Sequence, residues 1–301
     1  MATKLGSASI SKLYLGSNEI SKAYLGANEF FSSGDTTTFI TTWRTTTSNE
    51  TITIPTTGGG YNYNITTSDG QTFNGVSGNQ TITFASAGDY DVSISGIFPR
   101  IFFNDGGDKT KLIDIKQWGN IVWSSFVSAF NGCSNLTGSF MDAPNLTNVT
   151  SFISTFQDCS SFNQPIGNWD VSNVTTIRYM FVRSSFNQPL NNWDVSNVTN
   201  MFTMFYLNNS FNQDVSDWDI TSVADFRFFA TSATFSTSNY DAILIGWEAT
   251  LQAAFPNGSG YTPSITIDFG TSKYTGGGAA AAAHASLGSV FGWSIVDGGI
   301  A

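Results

Sequence analysis

Apolar aromatic residues recur at a nearly constant interval through the middle of the chain. Phenylalanine returns every 24 to 26 residues, and a tryptophan, replaced once by proline, keeps the same interval. The positions are Phe130, Phe156, Phe181, Phe205 and Phe229, with Trp118, Pro144, Trp169, Trp193 and Trp218. Repetition at this period is typical of solenoids, in which each unit buries its apolar face against its neighbours. The pattern therefore predicts a solenoid of about five units over residues 107–235.

Within each unit the spacing of the apolar residues changes, which predicts two elements. The segment from Ile166 to Val171 is typical of a short extended stretch. After it, Val174, Ile177 and Phe181 fall at positions i, i+3 and i+7, the spacing of one face of a helix. We therefore expect strand, turn, short helix and return loop in every unit.

A shorter repeat occupies residues 1–31. Residues 10–19 read Ile-Ser-Lys-Leu-Tyr-Leu-Gly-Ser-Asn-Glu, and residues 20–29 repeat them with two changes. The alternation around a Gly-containing turn predicts a β-meander, with candidate contact residues Leu13, Tyr14, Leu15, Tyr24 and Leu25. A ribbon this small cannot be stable alone, so we expect it to anchor the chain to a neighbour. The alternative is an edge hairpin of the next domain.

The pattern of the segment between the two repeats predicts a second β domain. Residues 32–38 form a polar linker, and residues 39–106 alternate short strands with Gly-rich turns, which favours a β-sandwich. The predicted strands are Phe39–Thr42, Thr51–Ile54, Tyr61–Thr66, Thr81–Phe84, Asp91–Ser95 and Arg100–Phe103.

After the last clear repeat the pattern changes once more. A helix carrying Tyr240, Ile243, Leu244 and Trp247, strands at Ser264–Phe269 and Trp293–Val296, and an Ala-rich helix at Gly278–Leu287 are predicted. Terminal units of a solenoid must cover its last apolar face, so residues 236–301 are interpreted as an α/β cap. The predicted fold class of the whole chain is mixed α+β.

The composition excludes several classes of function. Charged residues make up 11% of the chain, the net charge is −10 and the pI is near 4.3. Twelve Lys and Arg in an acidic chain argue against nucleic-acid binding. The first residues show no apolar secretory signal, and no run approaches 18 apolar residues, so no membrane span is expected.

The repeat motif carries a family resemblance. Residues 162–175 read Phe-Asn-Gln-Pro-Ile-Gly-Asn-Trp-Asp-Val-Ser-Asn-Val-Thr, and residues 186–199 are a near copy. They resemble the bacterial surface-protein repeat of about 26 residues in the BspA-like branch of the leucine-rich repeats. Residues 84–96 resemble the terminal hairpin of PKD-like domains, and the decapeptide is similar to N-terminal segments of tailed-phage structural proteins. These resemblances imply a binding or structural role rather than a reaction.

Three tryptophans give the candidate binding residues. If the units stack, Trp169, Trp193 and Trp218 form a ladder beside the polar residues Asn168, Asn192 and Asp217. Exposed rings would make a platform for sugars, whereas buried rings would form a wall of the core.

Candidate catalytic chemistry is sparse. Asp170, Asp194 and Asp219 could supply the acids of a glycan-cleaving spike, but turn residues at equivalent repeat positions explain them more simply. With four Glu and one His in the chain, we expect no catalytic residue, metal or cofactor. Cys133 and Cys159 lie one repeat apart, as a disulfide or as two stacked buried thiols.

The expected function is therefore non-enzymatic. The first hypothesis is a phage virion protein, a fibre, spike or head decoration, located in the virion. Residues 1–31 would bind other virion proteins, and the repeats would bind a host-surface glycan or protein. Copies would associate, a trimer being one arrangement. The alternative is an adhesin on the bacterial cell surface, and a glycan-cleaving spike is the third hypothesis.

Overall fold

The computed structural model describes residues 36–301 and, before them, the backbone of four short strands. These are β1 (Leu13–Leu15), β2 (Asn18–Ile20), β3 (Lys22–Leu25) and β4 (Asn28–Ser32). β1 pairs antiparallel with β2, and β3 with β4, so the five candidate anchor residues lie in two hairpins. Residues 1–12 and residues 33–35 of the predicted linker lie outside the described residues.

Eight further strands follow in the first half of the described chain. They are β5 (Phe39–Thr45), β6 (Glu50–Ile54), β7 (Asn62–Thr67), β8 (Thr72–Val76), β9 (Gln80–Phe84), β10 (Gly88–Ile97), β11 (Leu112–Gln117) and β12 (Thr137–Gly138). Six of them form one sheet in the order β12-β11-β5-β10-β7-β8, and β6 pairs with β9. Alternate residues of β7, Tyr63, Ile65 and Thr67, point into the core, the alternation expected of a half-buried strand.

The strand predictions differ from the structure in three places. Arg100–Phe103 is irregular rather than a strand, because its amides bond to separate segments: Phe102 N donates to Pro55 O, and Phe103 N to Ala129 O. β8 was not predicted, since its side chains are exposed or half-buried and show no apolar alternation. β11 was not predicted either; it pairs with β5 and so joins the start of the repeats to the first sheet.

The repeats contain no helix between residues 118 and 236, so the predicted helix of each unit is wrong. Backbone amides instead donate to the next unit. The N–H groups of Ile177, Tyr179 and Phe181 bond to the carbonyls of Asn200, Phe202 and Met204 at 3.1, 3.1 and 2.9 Å. The same pattern joins the other units, and parallel bridges link Ser151, Thr176, Asn200 and Asp225. Successive units are therefore stacked in register.

Left-handed residues explain why a helical spacing produced no helix. Turn bonds do form within a unit, as from Met180 N to Ile177 O at 3.3 Å. Tyr179, the third residue of this turn, has a φ of 60°, so the chain cannot continue as a helix, and its amide donates to Phe202 O of the next unit. Each unit has two such positions: Ser128, Ser154, Tyr179, Thr203 and Phe228, then Gly132, Asp158, Arg183, Leu207 and Ser232. The predicted extended segment, Ile166–Val171, is likewise a turn.

The aromatic column is shorter than the sequence spacing suggested. Phe130, Phe156, Phe181 and Phe205 stack with centroids 5.5, 6.0 and 5.6 Å apart and ring planes within 7°. Phe229 instead meets Phe205 at 87°. Counted from the bridge between Asn200 and Asp225, the residue equivalent to Phe205 is Ala230, so Phe229 lies one position out of the column.

The last segment combines helices and strands, as predicted. It contains α1 (Thr237–Ala254), a 3₁₀ turn (Pro256–Gly258), β13 (Thr266–Asp268), α2 (Ala279–Ser289) and β14 (Ser294–Val296), which pairs in parallel with β13. The predicted face of α1, Tyr240, Ile243, Leu244 and Trp247, is buried. Ala230 N donates to Asp268 O at 2.9 Å, so β13 receives the last repeat. The chain is thus mixed α+β, and no helix within its described residues is long and apolar enough to cross a membrane.

Candidate functional site

The repeated tryptophans bond the units together from inside. Trp193 Nε1 donates to Ile166 O at 3.0 Å, and Trp218 Nε1 donates to Leu190 O at 2.9 Å. Trp169, Trp193 and Trp218 are only 3%, 3% and 0% exposed. This corrects the expectation of an exposed sugar platform, because the three rings belong to the core.

Most polar residues of the motif also have structural partners. The side-chain oxygens of Asn163, Asn187 and Asn212 each accept a backbone N–H of the next unit, at 2.8, 2.9 and 2.8 Å. Asp170 Oδ1 accepts the amide of Ser172 at 3.1 Å, and Asp194 and Asp219 do the same in their units. The hydrogen bonds from Ser172 hold the pKa of Asp170 below its usual range. These positions are therefore explained by stacking and turn formation.

Two of the predicted polar residues lie together in a surface groove. Asn168 and Asn192 are exposed and line a groove of about 400 Å³, whereas the exposed Asp217 does not line it. We name this surface the amide groove; its lining residues are Phe140, Met141, Asp142, Gln164, Pro165, Gly167, Asn168, Pro189, Asn191 and Asn192.

The amide groove keeps hydrogen-bonding capacity that the stack does not use. Asn191 Nδ2 donates to Asn192 Oδ1 at 3.3 Å, and the Asn168 amide has no hydrogen-bond partner within residues 36–301. The one acid in the groove, Asp142, is occupied, because its carboxylate accepts the amides of Trp118 and Gly119 at 2.8–3.1 Å. Apart from this hydrogen-bonded carboxylate, the polar side chains of the groove are neutral amides.

The groove has apolar walls and a fixed floor. Met141, which is 83% exposed, and the rings of Pro165 and Pro189 line it. A Cβ at Gly167 would lie 2.8 Å from Pro189 O, so glycine lets two neighbouring units approach closely there. The adjoining carbonyl of Ile166 accepts Trp193 Nε1 at 3.0 Å, which holds the backbone of the groove floor to the next unit.

A larger cavity of about 740 Å³ lies between the first sheet and the first repeats. Four of its five charged residues form ion pairs: Arg44 pairs with Asp89 at 2.7 Å, and Lys116 pairs with Asp91 at 2.8 Å. The hydrogen bond from Arg44 lowers the pKa of Asp89. Asp114 accepts the Ser139 hydroxyl at 2.6 Å. This cavity therefore has fewer groups left for a ligand than the amide groove.

One polar cluster in the last segment could not be expected from the sequence. Asp297 Oδ2 accepts the Tyr240 hydroxyl at 2.6 Å and lies 3.1 Å from His284 Nε2, without the geometry of a hydrogen bond to that nitrogen. Tyr274 stacks on His284 at 4.5 Å. Burial, followed by the bond to Asp297, raises the pKa of Tyr240. Tyr240 and Asp297 lie 57 positions apart in the chain, and the bond between them ties α1 to the segment after β14.

The two cysteines are buried thiols and not a disulfide, which is the second of the two arrangements predicted from the sequence. Cys133 and Cys159 are free and fully buried, and Cys159 Sγ donates to Phe130 O at 3.0 Å. Burial raises the pKa of both thiols, which disfavours the reactive thiolate.

Comparison with known proteins adds a family match. A family model described as "Mycoplasma protein of unknown function, DUF285" matches residues 124–242, less than half of the chain. No curated protein and no solved structure matches the chain. The matched part contains the amide groove's Pro165, Gly167, Asn168, Pro189 and Asn192, and it continues into α1.

Proposed function

We propose that this chain is a non-enzymatic adhesion protein that binds a neutral host-surface glycan in the amide groove. The observation that carries the proposal is that apolar walls lie beside side-chain amides with hydrogen-bonding groups that the stacking of the units does not use, across two repeat units. Sugars present hydroxyl groups beside apolar C–H faces, so Asn168 and Asn192 would bond the hydroxyls while Pro165 and Pro189 contact the ring. A groove of about 400 Å³ lies within the usual range of small-ligand sites.

The architecture proposed with this function is that of an elongated display protein. The ladder of bonds between units supports a leucine-rich-repeat-like solenoid over residues 107–235. Four strands of the large sheet, β5, β7, β8 and β10, together with the β6–β9 pair support a PKD- or Ig-like β-sandwich over residues 39–106. Residues 236–301 would form the cap, because α1 and β13 cover the last repeat.

For its location, we propose the virion of a bacteriophage, as a fibre, spike or head decoration. The resemblance of residues 10–29 to phage structural proteins supports this location. Two short hairpins are poor candidates for independent folding, which favours attachment to other virion proteins or to further copies of this chain, such as a trimer.

The second candidate is a bacterial cell-surface adhesin of the BspA-like family. The description of the matching family model, which refers to Mycoplasma proteins, favours this alternative. A glycan-cleaving spike has the least support, because Asp170, Asp194 and Asp219 are each bonded within their own turns.

A glycan array with the full chain tests the proposed function. We expect binding to neutral oligosaccharides that is lost in Asn168→Ala and Asn192→Ala, and kept in Asn209→Ala, an exposed asparagine of the repeats outside the groove. Equal binding by all three variants would exclude the groove as the binding site.

Mass spectrometry of purified virions and of cell-envelope fractions separates the two proposed locations. Peptides of residues 1–31 found in virions alone support the virion, and peptides found in the envelope fraction alone support the cell surface.

A further inference from the structure

A second surface cluster on the repeats combines aromatic rings, two half-buried and one exposed, with two exposed arginines. We name it the aromatic ridge: Arg178, Tyr179, Phe202, Arg227 and Phe228. The rings of Tyr179 and Phe202 meet at 5.2 Å, and those of Phe202 and Phe228 meet at 6.0 Å, so the ridge crosses three stacked units. It shares no residue with the amide groove.

The ridge places bulky side chains where the backbone disfavours them. Tyr179 and Phe228 occupy the first left-handed position of their units, with φ of 60° and 58°. Glycine and asparagine adopt this conformation most readily, whereas aromatic residues there are outliers. Phe228 is 51% exposed, so burial in the core does not compensate. The equivalent residues of the other units, Ser128, Ser154 and Thr203, are small, so the turn itself does not require a bulky ring, and the rings of Tyr179 and Phe228 are available for a binding role.

The two arginines differ in their partners. Arg227 lies 5.1 Å above the Phe202 ring, and both its Nε and Nη2 bond the carboxylate of Asp225, at 3.0 and 2.9 Å. Arg178 lies 5.3 Å above the Tyr179 ring and pairs with no carboxylate within residues 36–301. Its guanidinium fork is therefore open, and such a fork binds carboxylates in a bidentate manner.

We propose that the aromatic ridge binds a carboxylated sugar, such as a sialic or uronic acid residue. The rings of Tyr179, Phe202 and Phe228 would contact the apolar face of the sugar, and Arg178 would bind its carboxylate. A protein partner fits less well, because five side chains cover far less than the roughly 800 Å² per partner that stable interfaces bury. The ridge can bind independently of the amide groove, whose ligand we propose to be neutral.

Isothermal titration of the full chain with 3′-sialyllactose and a hyaluronan tetrasaccharide, and with lactose and chitotetraose as neutral probes, tests this site. We expect at least one acidic probe to bind and to lose affinity at least tenfold in Arg178→Gln. Raised salt should weaken the binding, because the contact is an exposed ion pair. Arg183→Gln is the matched control, since Arg183 is exposed on the same unit but paired with Asp158 at 2.6 Å.

A variant of the ring separates a loss of binding from a loss of folding. Phe228→Asn removes the aromatic side chain and introduces a residue that tolerates a φ of 58°, so the midpoint of thermal unfolding should not fall. We expect Phe228→Asn to bind the acidic probe more weakly while its circular dichroism spectrum is unchanged. Asn168→Ala should bind the acidic probe with unchanged affinity. Binding of neither acid, or full affinity for the acid in Arg178→Gln, would overturn the proposal. Binding of a neutral probe that is lost in Asn168→Ala and kept in Arg178→Gln belongs to the amide groove, whereas a neutral probe that loses affinity in Arg178→Gln as the acid does would also overturn the proposal.

Discussion

Trp247 Nε1 donates to Val215 O at 2.9 Å, and so repeats on a helix the bond that Trp193 and Trp218 make within the repeats. Trp247 comes 29 positions after Trp218, beyond the regular interval, because the chain enters α1 between these two residues. The helix therefore covers the last unit with the same contact that joins the units to one another.

Replacing Trp247 by phenylalanine should destabilise the protein by about 0.5–1.5 kcal/mol beyond the loss of ring volume, because the bond to Val215 O is lost while that oxygen keeps the amide of Trp218 at 3.2 Å. Trp169→Phe is the matched control, since Trp169 is equally buried but its Nε1 has no partner within the described residues. Urea unfolding measures both variants. Equal losses would show that packing alone, and not the hydrogen bond, accounts for the tryptophans.

Asn187 should be needed for stability, whereas the nearby Asn191 should not. Asn187 Oδ1 accepts Asn212 N at 2.9 Å and Gln213 Nε2 at 2.8 Å, so Asn187→Ala removes two bonds between units. We expect a loss of about 1–2 kcal/mol in the free energy of unfolding. Asn191→Ala, in the amide groove, should stay within about 0.5 kcal/mol of wild type. A larger loss for Asn191→Ala than for Asn187→Ala would contradict the proposed structural role of Asn163, Asn187 and Asn212.

Glu50 should make the stability sensitive to acid. The amide of Thr46 and the ammonium of Lys111, at 2.6 and 2.9 Å, lower the pKa of Glu50 from 4.5 to about 2. Because the folded pKa is the lower one, the contribution is present above pH 4.5 and is lost as the pH falls towards 2.

The denaturant midpoint of Glu50→Gln should therefore change less than that of wild type across this range. An NMR titration of the Glu50 carboxyl gives the direct measurement. A midpoint near 4.5 would contradict the bonded geometry.

Neither cysteine should react in the folded protein. Cys133 and Cys159 are buried, and burial raises the pKa of each thiol, so both the access and the thiolate that alkylation requires are lacking. Iodoacetamide followed by mass spectrometry should label neither thiol in buffer and both in denaturant. Labelling of the native protein, or a bond between the two cysteines, would be inconsistent with the structure.

The repeat period could be predicted because it reflects burial, but the backbone within a unit could not. Val174, Ile177 and Phe181 are all buried, as their spacing predicted. Consecutive turns that contain the left-handed Tyr179 place the same side chains in the core as a helix would. No glycine or asparagine marks that residue, since Tyr179 occupies it, so the sequence held no signal for the change of direction.

The candidate site was predicted in part for a related reason. Asn168 and Asn192 are exposed as expected, because they precede a buried tryptophan in each unit. The aromatic ridge was missed, because an aromatic residue in a repeat is normally taken for core. Phe228 and Phe229 are adjacent in the chain, yet the first is 51% exposed and the second fully buried, a distinction that depends on backbone direction.

The bonds between units also determine how this protein could change its length. Every unit receives its neighbour through the same set of amides and carbonyls, so the stack has approximate translational symmetry along its axis. Gene duplication of one unit would preserve these backbone bonds, provided that β13 still receives the last unit, as it does through Asp268 O and Ala230 N. The reach of the molecule can therefore evolve in whole steps, without redesign of either end.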